Sequence, residues 1–81
     1  MDLIHLHILS PEGTLVKRTV ELVTLPGLKA PFTVLQDHAA LVTALVAGNI
    51  RYVADGKEEF FPIREGFAEV SDNTVTVCVE V

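Results

Sequence analysis

The last eight residues of the chain alternate strictly between two kinds of side chain. Valine occupies every second position, in the order Thr74, Val75, Thr76, Val77, Cys78, Val79, Glu80, Val81. A period of two is the spacing of a β-strand that buries one face. Twelve valines and seven threonines among 81 residues strengthen the indication, because β-branched side chains favour pleated sheets. The chain is therefore predicted to be all-β.

The N-terminus repeats the alternation. Ile4, Leu6 and Ile8 form one face, which is predicted to point into the core, and His5 and His7 lie on the other face. Turn residues then recur about every eight to twelve positions, the spacing typical of a small sandwich or barrel. We expect about nine short strands in a small sandwich or barrel, forming a single domain over residues 1–81.

Glycine and proline predict where these strands end. Residues 10–13 form the first turn, and the next two strands are expected at 14–17 and 19–25. Pro26 and Gly27 suit a type II turn, and Asp55 and Gly56 suit the type I′ turn of a hairpin. Pro62 lacks an amide hydrogen, so its strand is predicted to lie at an edge or to carry a bulge.

Residues 39–47 are apolar and leave two alternatives open. Leu41, Val42, Leu45 and Val46 would fit a helical stripe, but the segment is short for a helix and contains the weak helix former Val42. We interpret it as extended. Successive apolar side chains then point to opposite faces, so the strand is either buried on both faces or presents one apolar face to a partner.

Charge and length exclude several classes of function. The formal net charge is −5, and the six lysines and arginines are dispersed, which argues against a nucleic-acid partner. No apolar run reaches the roughly 18 residues of a membrane span, so no direct insertion into a bilayer is expected. The single cysteine cannot form an internal disulfide, which favours a reducing compartment such as the cytoplasm.

The residues that could carry chemistry do not form a catalytic pattern. His5 and His7 could share a metal ion that His38 completes, but solvated histidines on a strand are the commoner case, so no metal site is predicted. Glu58 and Glu59 point to opposite strand faces and cannot act as a facing acid and base. Cys78 has no histidine near it in sequence. We therefore predict no enzyme and no cofactor, and these residues alone are typical of a small soluble β-module that binds a ligand or another protein.

Several junctions between the predicted strands resemble one known family. The segments are Leu-Ser-Pro-Glu-Gly at 9–13, Pro-Gly at 26–27, Phe-Thr-Val-Leu at 32–35, His-Ala-Ala-Leu-Val-Thr-Ala-Leu at 38–45, Gly-Asn-Ile-Arg at 48–51, Glu-Glu-Phe at 58–60, Gly-Phe-Ala-Glu-Val at 66–70 and Asn-Thr-Val-Thr-Val at 73–77. Together, in this order and spacing, they resemble the N-terminal domain of the epsilon subunit of the F-type ATP synthase. The resemblance covers essentially the whole chain.

The resemblance implies a flattened β-sandwich of about ten strands and a mechanical function. The family's domain sits at the foot of the central stalk, binds the gamma subunit and rests on the ring of c subunits, so that it couples proton-driven rotation to ATP synthesis. It is a non-catalytic subunit, and its place would be peripheral, on the cytoplasmic face of the bacterial inner membrane. A small ligand-binding β-module is the alternative.

The resemblance also implies two sets of interface residues. The gamma-facing set comprises Ser10, His38, Ala39, Ala40, Leu41, Val42 and Thr43. The set facing the c ring comprises Leu28, Lys29, Ala30, Pro31 and Phe32.

The sequence departs from the family pattern in and next to these sets. Residues 30–38 read Ala-Pro-Phe-Thr-Val-Leu-Gln-Asp-His where the family usually has Gly-x-Phe-Gly-Val-Leu-Pro-Gly-His, so turn glycines and the proline before the histidine are replaced. Lys29 and Pro31 stand where polar or acidic side chains are common. Residues 64–67 read Arg-Glu-Gly-Phe in place of Ser-Gly-Gly-Phe, which retains one glycine.

Epsilon subunits typically continue with a helical hairpin that inhibits ATP hydrolysis. This sequence ends at Val81, where the last predicted strand finishes. We therefore expect no C-terminal helical hairpin, no ATP binding and no inhibition of the hairpin type from this polypeptide.

Overall fold

The computed structural model describes residues 3–81, and Met1 and Asp2 lie outside the described part of the chain. Residues 3–81 contain nine strands, which confirms the predicted class and strand number. In chain order they are β1 (Ile4–Ser10), β2 (Gly13–Val20), β3 (Leu22–Leu25), β4 (Phe32–Val34), β5 (Leu41–Leu45), β6 (Gly48–Ala54), β7 (Lys57–Ile63), β8 (Glu65–Ser71) and β9 (Thr74–Glu80). Residues 3–81 contain no helix long and apolar enough to cross a membrane.

The strands form two sheets that pack into a sandwich. One sheet has five strands in the order β2-β1-β9-β8-β5, and the other has four in the order β4-β3-β6-β7. The first and last strands of the chain, β1 and β9, run parallel at the centre of the larger sheet, whereas the other strand pairs are antiparallel. Residues 5–9 are thus joined to residues 74–78 by direct backbone pairing.

The core lies between the sheets and consists of alternate residues from each strand. The predicted inward faces of β1 and β9 are confirmed, because their side chains are buried. The buried hydrophobic residues are Ile4, Leu6, Ile8, Val20, Val23, Leu25, Val34, Leu45, Ile50, Tyr52, Ala54, Ile63, Ala68, Val70, Val75, Val77 and Val79. Val81 follows the end of β9 and is exposed. Among the described residues no polar or charged residue is buried, so the core is held by apolar packing.

Two hairpins are closed by two-residue turns with positive φ at both central residues. Asp55 and Gly56 both have positive φ, at 53° and 74°, which confirms the predicted type I′ turn between β6 and β7. Asp72 and Asn73 also both have positive φ, at 50° and 58°, in the turn between β8 and β9. Both hairpins therefore twist in the sense that their flanking strands require.

The predicted boundary between the second and third strands is wrong. The break lies at Glu21, since β2 continues through Arg18 to Val20 and pairs with β1 along its length. Lys17 and Arg18 do not interrupt it because β2 is an edge strand, where polar side chains can point to solvent. At Glu21 the chain passes from one sheet to the other, and the Glu21 amide donates to the Val53 carbonyl at 2.7 Å.

The predicted type II turn at Pro26 and Gly27 is also wrong. Gly27 does not adopt a positive φ, which that turn would require. Its amide donates to the Leu25 carbonyl at 3.0 Å, which makes a γ-turn centred on Pro26, whose ring holds φ near the value of that turn. A glycine is needed here for another reason: a Cβ would lie 2.6 Å from the Ala30 carbonyl oxygen.

The two open questions on single strands are resolved. Residues 41–45 are extended, as interpreted, and the alternative of a strand buried on both faces is wrong because Val42 is 69% exposed. Pro62 lies in β7, an edge strand of the four-stranded sheet, as predicted. Its missing amide hydrogen therefore leaves no gap in the interior of a sheet.

Candidate protein interface

An apolar row crosses the outer face of the five-stranded sheet. The register of the strands places Ala44 of β5 opposite Phe67 of β8, Phe67 opposite Cys78 of β9, and Cys78 opposite Leu9 of β1. We call these four residues the outer row. Phe67 is 53% exposed, and Val42 stands two residues from Ala44 on the same face. Large apolar side chains gathered on one sheet face are typical of a surface that binds another protein.

A shallow depression of about 580 Å³ lies beside the outer row, along Phe67, Cys78 and Leu9. It is lined by Leu9, Ser10, Pro11, Glu65, Gly66, Phe67, Cys78, Val79 and Glu80. Glu65 and Glu80 are direct partners across β8 and β9, so two carboxylates face each other at its rim. Like charges in that arrangement repel, and a basic group on a partner would relieve the repulsion. The depression therefore suits an apolar segment with a positive charge beside it.

Ser10 closes the β1–β2 turn beside this depression. Its hydroxyl accepts a hydrogen bond from the Glu12 amide at 3.2 Å and lies 3.4 Å from the Gly13 carbonyl. Gly13 has φ of 134°, a conformation that side chains rarely adopt. The side chain of Ser10 thus stabilises the turn, and the turn places Ser10 at the rim of the candidate interface.

The turn at residues 35–38 and the two residues that follow it form the corner before β5. This corner lies at the opposite end of the same sheet. The amide of His38 donates to the Leu35 carbonyl at 3.2 Å, and Asp37 has φ of 62°. These values describe a type II turn with Asp37 in the position that usually takes glycine. The loop thus keeps a tight turn although its glycine and proline are replaced. Ala39 and Ala40 follow, both exposed.

The predicted gamma-facing residues are not brought together as one patch. Ser10 follows Leu9 and lies at the end of the sheet where Leu45 pairs with Gly66, whereas residues 38–40 lie at the end where Leu41 pairs with Val70. Adjacent strands are about 4.8 Å apart and residues along a strand about 3.3 Å apart, so three strand intervals and the length of β5 separate them by roughly 25 Å. The outer row and Val42 lie between these two ends, together with the polar residues Glu69 and Thr76 on the same face.

Alternation on β5 divides the predicted set further. Val42 points outward, while Leu41 packs against the core and Thr43 is half-buried on the same side as Leu41. Sequence reasoning missed Leu9, Ala44 and Phe67 as candidate interface residues. A signal for Phe67 was available, since it precedes Ala68 in a strand whose inward positions are Ala68 and Val70.

Residues 28–32 form a loop anchored to the free edge of β5. The Leu28 amide donates to the Ala44 carbonyl at 3.1 Å, and the Val46 amide donates to the Pro26 carbonyl at 2.9 Å. Leu28 is 64% exposed, and Lys29 and Pro31 are also exposed. Ala30 is exposed as well, whereas Phe32 is half-buried and packs against the core. The loop thus has a fixed base and an exposed tip.

Of the other candidate side chains, Glu58 and Glu59 lie on the four-stranded sheet, whereas His5, His7 and Cys78 share the outer face of the five-stranded sheet. Glu58 forms an ion pair with Arg51, and Glu59 lies 3.9 Å from Arg18, all of them solvent-accessible. His5 and His7 lie beside Lys17 on the outer face of β1 and β2. Within residues 3–81, no three His, Cys, Asp or Glu side chains are grouped to hold a metal ion. Cys78 is a free, half-buried thiol within the outer row.

Comparison with known proteins identifies the domain. The family model described as the β-sandwich domain of the ATP synthase delta/epsilon chain matches residues 3–81. The ATP synthase epsilon chain of Desulfitobacterium hafniense is 41% identical over 75 residues, covering 93% of this chain and 57% of the relative. That of Lawsonia intracellularis is 43% identical over 77 residues, covering 95% and 58%. The chain thus spans a little over half the length of these relatives.

Solved structures share the fold at low sequence identity. A chain in the cryo-EM structure of the Euglena gracilis mitochondrial ATP synthase, with OSCP, F1 and c-ring, matches with a TM-score of 0.89 and 24% identity, covering 98% of this chain and 51% of that one. A chain from the central stalk and c-ring of the Tetrahymena thermophila mitochondrial ATP synthase matches with a TM-score of 0.80 and 15% identity, covering 96% and 63%. With the family match over residues 3–81, the chain belongs to the family of the β-sandwich domain of the ATP synthase delta/epsilon chain.

Proposed function

We propose that this chain is a subunit of the rotating central stalk of an F-type ATP synthase, where it binds the gamma subunit and the c ring and couples proton-driven rotation to ATP synthesis. The observation that carries the proposal is the outer row, an exposed apolar surface on a sheet whose other face is already buried in the core. The names of the relatives, all ATP synthase epsilon chains, supply the complex in which that surface would be covered.

The gamma subunit would cover the outer face of the five-stranded sheet. Val42 and Phe67 would be the central apolar contacts, because both are more than half exposed and lie on adjacent strands. Ser10 and residues 38–40 would lie at the two ends of this contact. Burial of apolar surface contributes about 25 cal/mol per Å², so covering two large side chains would contribute measurably to affinity.

The c ring would meet the loop at residues 28–32. Its base is bonded to the edge of β5, so a force applied at Leu28 or Lys29 would be passed to the sheet that carries the gamma surface. Lys29 at the exposed tip would require an acidic or polar group on the c subunits for a favourable contact. This arrangement connects the two proposed partners through a single strand.

The proposed function is mechanical, without catalysis by this chain. The buried side chains of residues 3–81 are all hydrophobic, and the candidate interface offers packing and peripheral charge. In the proposed setting the chain would be held at the membrane through the synthase complex, on the cytoplasmic face of a bacterial inner membrane.

The test is recovery of the complex with tagged chain from membranes of the source cells. Gamma and the c subunits should co-purify with the wild-type chain. Phe67→Asp should reduce the recovery of gamma at least about fivefold, because it buries a charge against an apolar surface. Phe60 provides a matched control, since it is 57% exposed but lies on the four-stranded sheet, and Phe60→Asp should leave recovery unchanged. Recovery of neither subunit with the wild-type chain would refute the proposal.

A further inference from the structure

The corner before β5 depends on an aspartate in an unusual conformation. Asp37 occupies the third position of the turn at residues 35–38 with φ of 62°. In this region of φ the Cβ crowds the backbone, which is why glycine and asparagine are preferred there. Aspartate enters this region more readily than most residues, as Asp55 and Asp72 also do, but glycine does so without steric cost, so Asp37 gains stability from support that holds it there.

Asn73 supplies that support from a distant part of the sequence. Its Oδ1 accepts a hydrogen bond from the Asp37 amide at 2.6 Å, and its Nδ2 donates to Asp37 Oδ1 at 3.3 Å. The two bonds join the backbone and the side chain of Asp37 to one amide group. Asp37 is thereby held at two points, which fixes the direction in which the chain leaves the turn.

Asn73 is itself rigidly placed. It lies in the two-residue turn between β8 and β9, whose strands pair from Glu65–Glu80 to Ser71–Thr74. Its carbonyl also accepts a hydrogen bond from the His5 amide at 2.9 Å, which ties the turn to β1. The side chain of Asn73 therefore extends from the frame of the five-stranded sheet to the corner that precedes its edge strand.

Residues 38–40 follow Asp37 directly, so their position depends on the backbone direction at Asp37. His38 Nδ1 lies 2.7 Å from the Ala39 carbonyl, so its ring is held against the backbone of the next residue. Ala39 and Ala40 are exposed and lead into β5. A change in the backbone direction at Asp37 would therefore move this exposed segment relative to Val42 and the outer row.

We infer that Asn73 is a positioning residue for the gamma contact: by holding Asp37 in its left-handed conformation, it sets residues 38–40 in the orientation that meets the gamma subunit. The inference rests on the proposed function, since it assigns a role within the same interface. Asn73 acts through Asp37 and does not need to touch the partner itself.

The test compares Asn73→Gly, Asp37→Gly and the double variant. Glycine at position 73 keeps the positive φ of the β8–β9 turn and removes only the side-chain bonds. Asp72→Gly is the matched control, because Asp72 has φ of 50° in the same turn, whereas the two bonds to Asp37 come from the Asn73 side chain. Two quantities are measured: amide hydrogen exchange at Asp37 and His38 in the chain, and the dissociation constant for the gamma subunit of the same organism.

Asn73→Gly should accelerate exchange at Asp37 about tenfold and raise the dissociation constant for gamma about five- to tenfold, the effect of losing one or two hydrogen bonds. Asp72→Gly should change both by less than about twofold. With Asp37→Gly already present, Asn73→Gly should weaken gamma binding by no more than about twofold, because glycine adopts the turn without support.

Each other outcome has a distinct meaning. Unchanged exchange and affinity in Asn73→Gly would overturn the inference. Faster exchange with unchanged affinity would also overturn it, since the corner would then be held by Asn73 but not used for gamma. Absence of gamma binding by the wild-type chain would refute the proposed function itself, and the exchange rates would still decide whether Asn73 holds the corner.

Discussion

Leu41 and Val42 are neighbours on β5 and lie on opposite faces of the five-stranded sheet. Leu41 packs against the core, whereas Val42 is 69% exposed on the outer face. One apolar run thus serves two purposes, because successive residues of a strand point in opposite directions. Substitutions at these two positions therefore allow gamma binding and folding stability to be tested separately.

Val42→Asp should weaken gamma binding about tenfold or more and change the free energy of unfolding by less than about 0.5 kcal/mol, as is usual for exposed positions. Leu41→Asp should instead lower the free energy of unfolding by about 2–4 kcal/mol, since it brings a charge against the core. Denaturant unfolding and titration with the gamma subunit would measure both. Equal effects of the two variants would contradict the assignment of faces.

Lys29 tests the proposed contact with the c ring. Lys29→Glu reverses the charge at the exposed tip of the loop at residues 28–32 and should reduce co-purification of c subunits severalfold, with gamma recovery unchanged. Lys57→Glu makes the same change at an exposed residue of the β6–β7 hairpin and should have no effect. The Lys29 effect should weaken in high salt, because exposed charges are screened. Equal recovery with both variants would argue against this loop as the contact.

Gly66 should be intolerant of even a single methyl group. A Cβ at this position would overlap the Cys78 carbonyl oxygen and would lie 3.2 Å from Val79 Cα, both of them backbone atoms of β9. Gly66→Ala should therefore lower the free energy of unfolding by about 1–3 kcal/mol. The exposed neighbour Glu65 is the control, and Glu65→Ala should stay within about 0.5 kcal/mol of the wild type. Thermal and denaturant unfolding of both variants would decide the matter.

In the turn between β6 and β7, the effect of backbone conformation on stability can be measured separately from the effect of charge. Gly56 has φ of 74°, so Gly56→Ala should lower the free energy of unfolding by about 1 kcal/mol or more. Asp55 lies 3.7 Å from Arg18, but its side chain is 94% exposed, and such ion pairs contribute little. Asp55→Asn should therefore change stability by less than about 0.5 kcal/mol, since asparagine also suits this turn. A larger effect at Asp55 than at Gly56 would contradict this account.

Local patterns predicted most of the individual strands. The alternation of residues 74–81 and of Ile4, Leu6 and Ile8 indicated which faces are buried, and Asp55 with Gly56 indicated a type I′ hairpin. These features depend on side-chain spacing and on backbone φ, which are properties of neighbouring residues. The boundary at Glu21 was missed because a strand can carry Lys17 and Arg18 when it lies at an edge, and edge position is not a local property.

The sequence by itself determined an all-β chain, the inward faces of β1 and β9 and its resemblance to the epsilon family. Only the tertiary structure decided which strands are neighbours. It brought β1 and β9 together in parallel, aligned Leu9, Cys78, Phe67 and Ala44 in one row, and set Asn73 against Asp37. Strand order and register are chosen by packing across the whole chain, so residues far apart in sequence form the candidate interface and the contact that positions its corner.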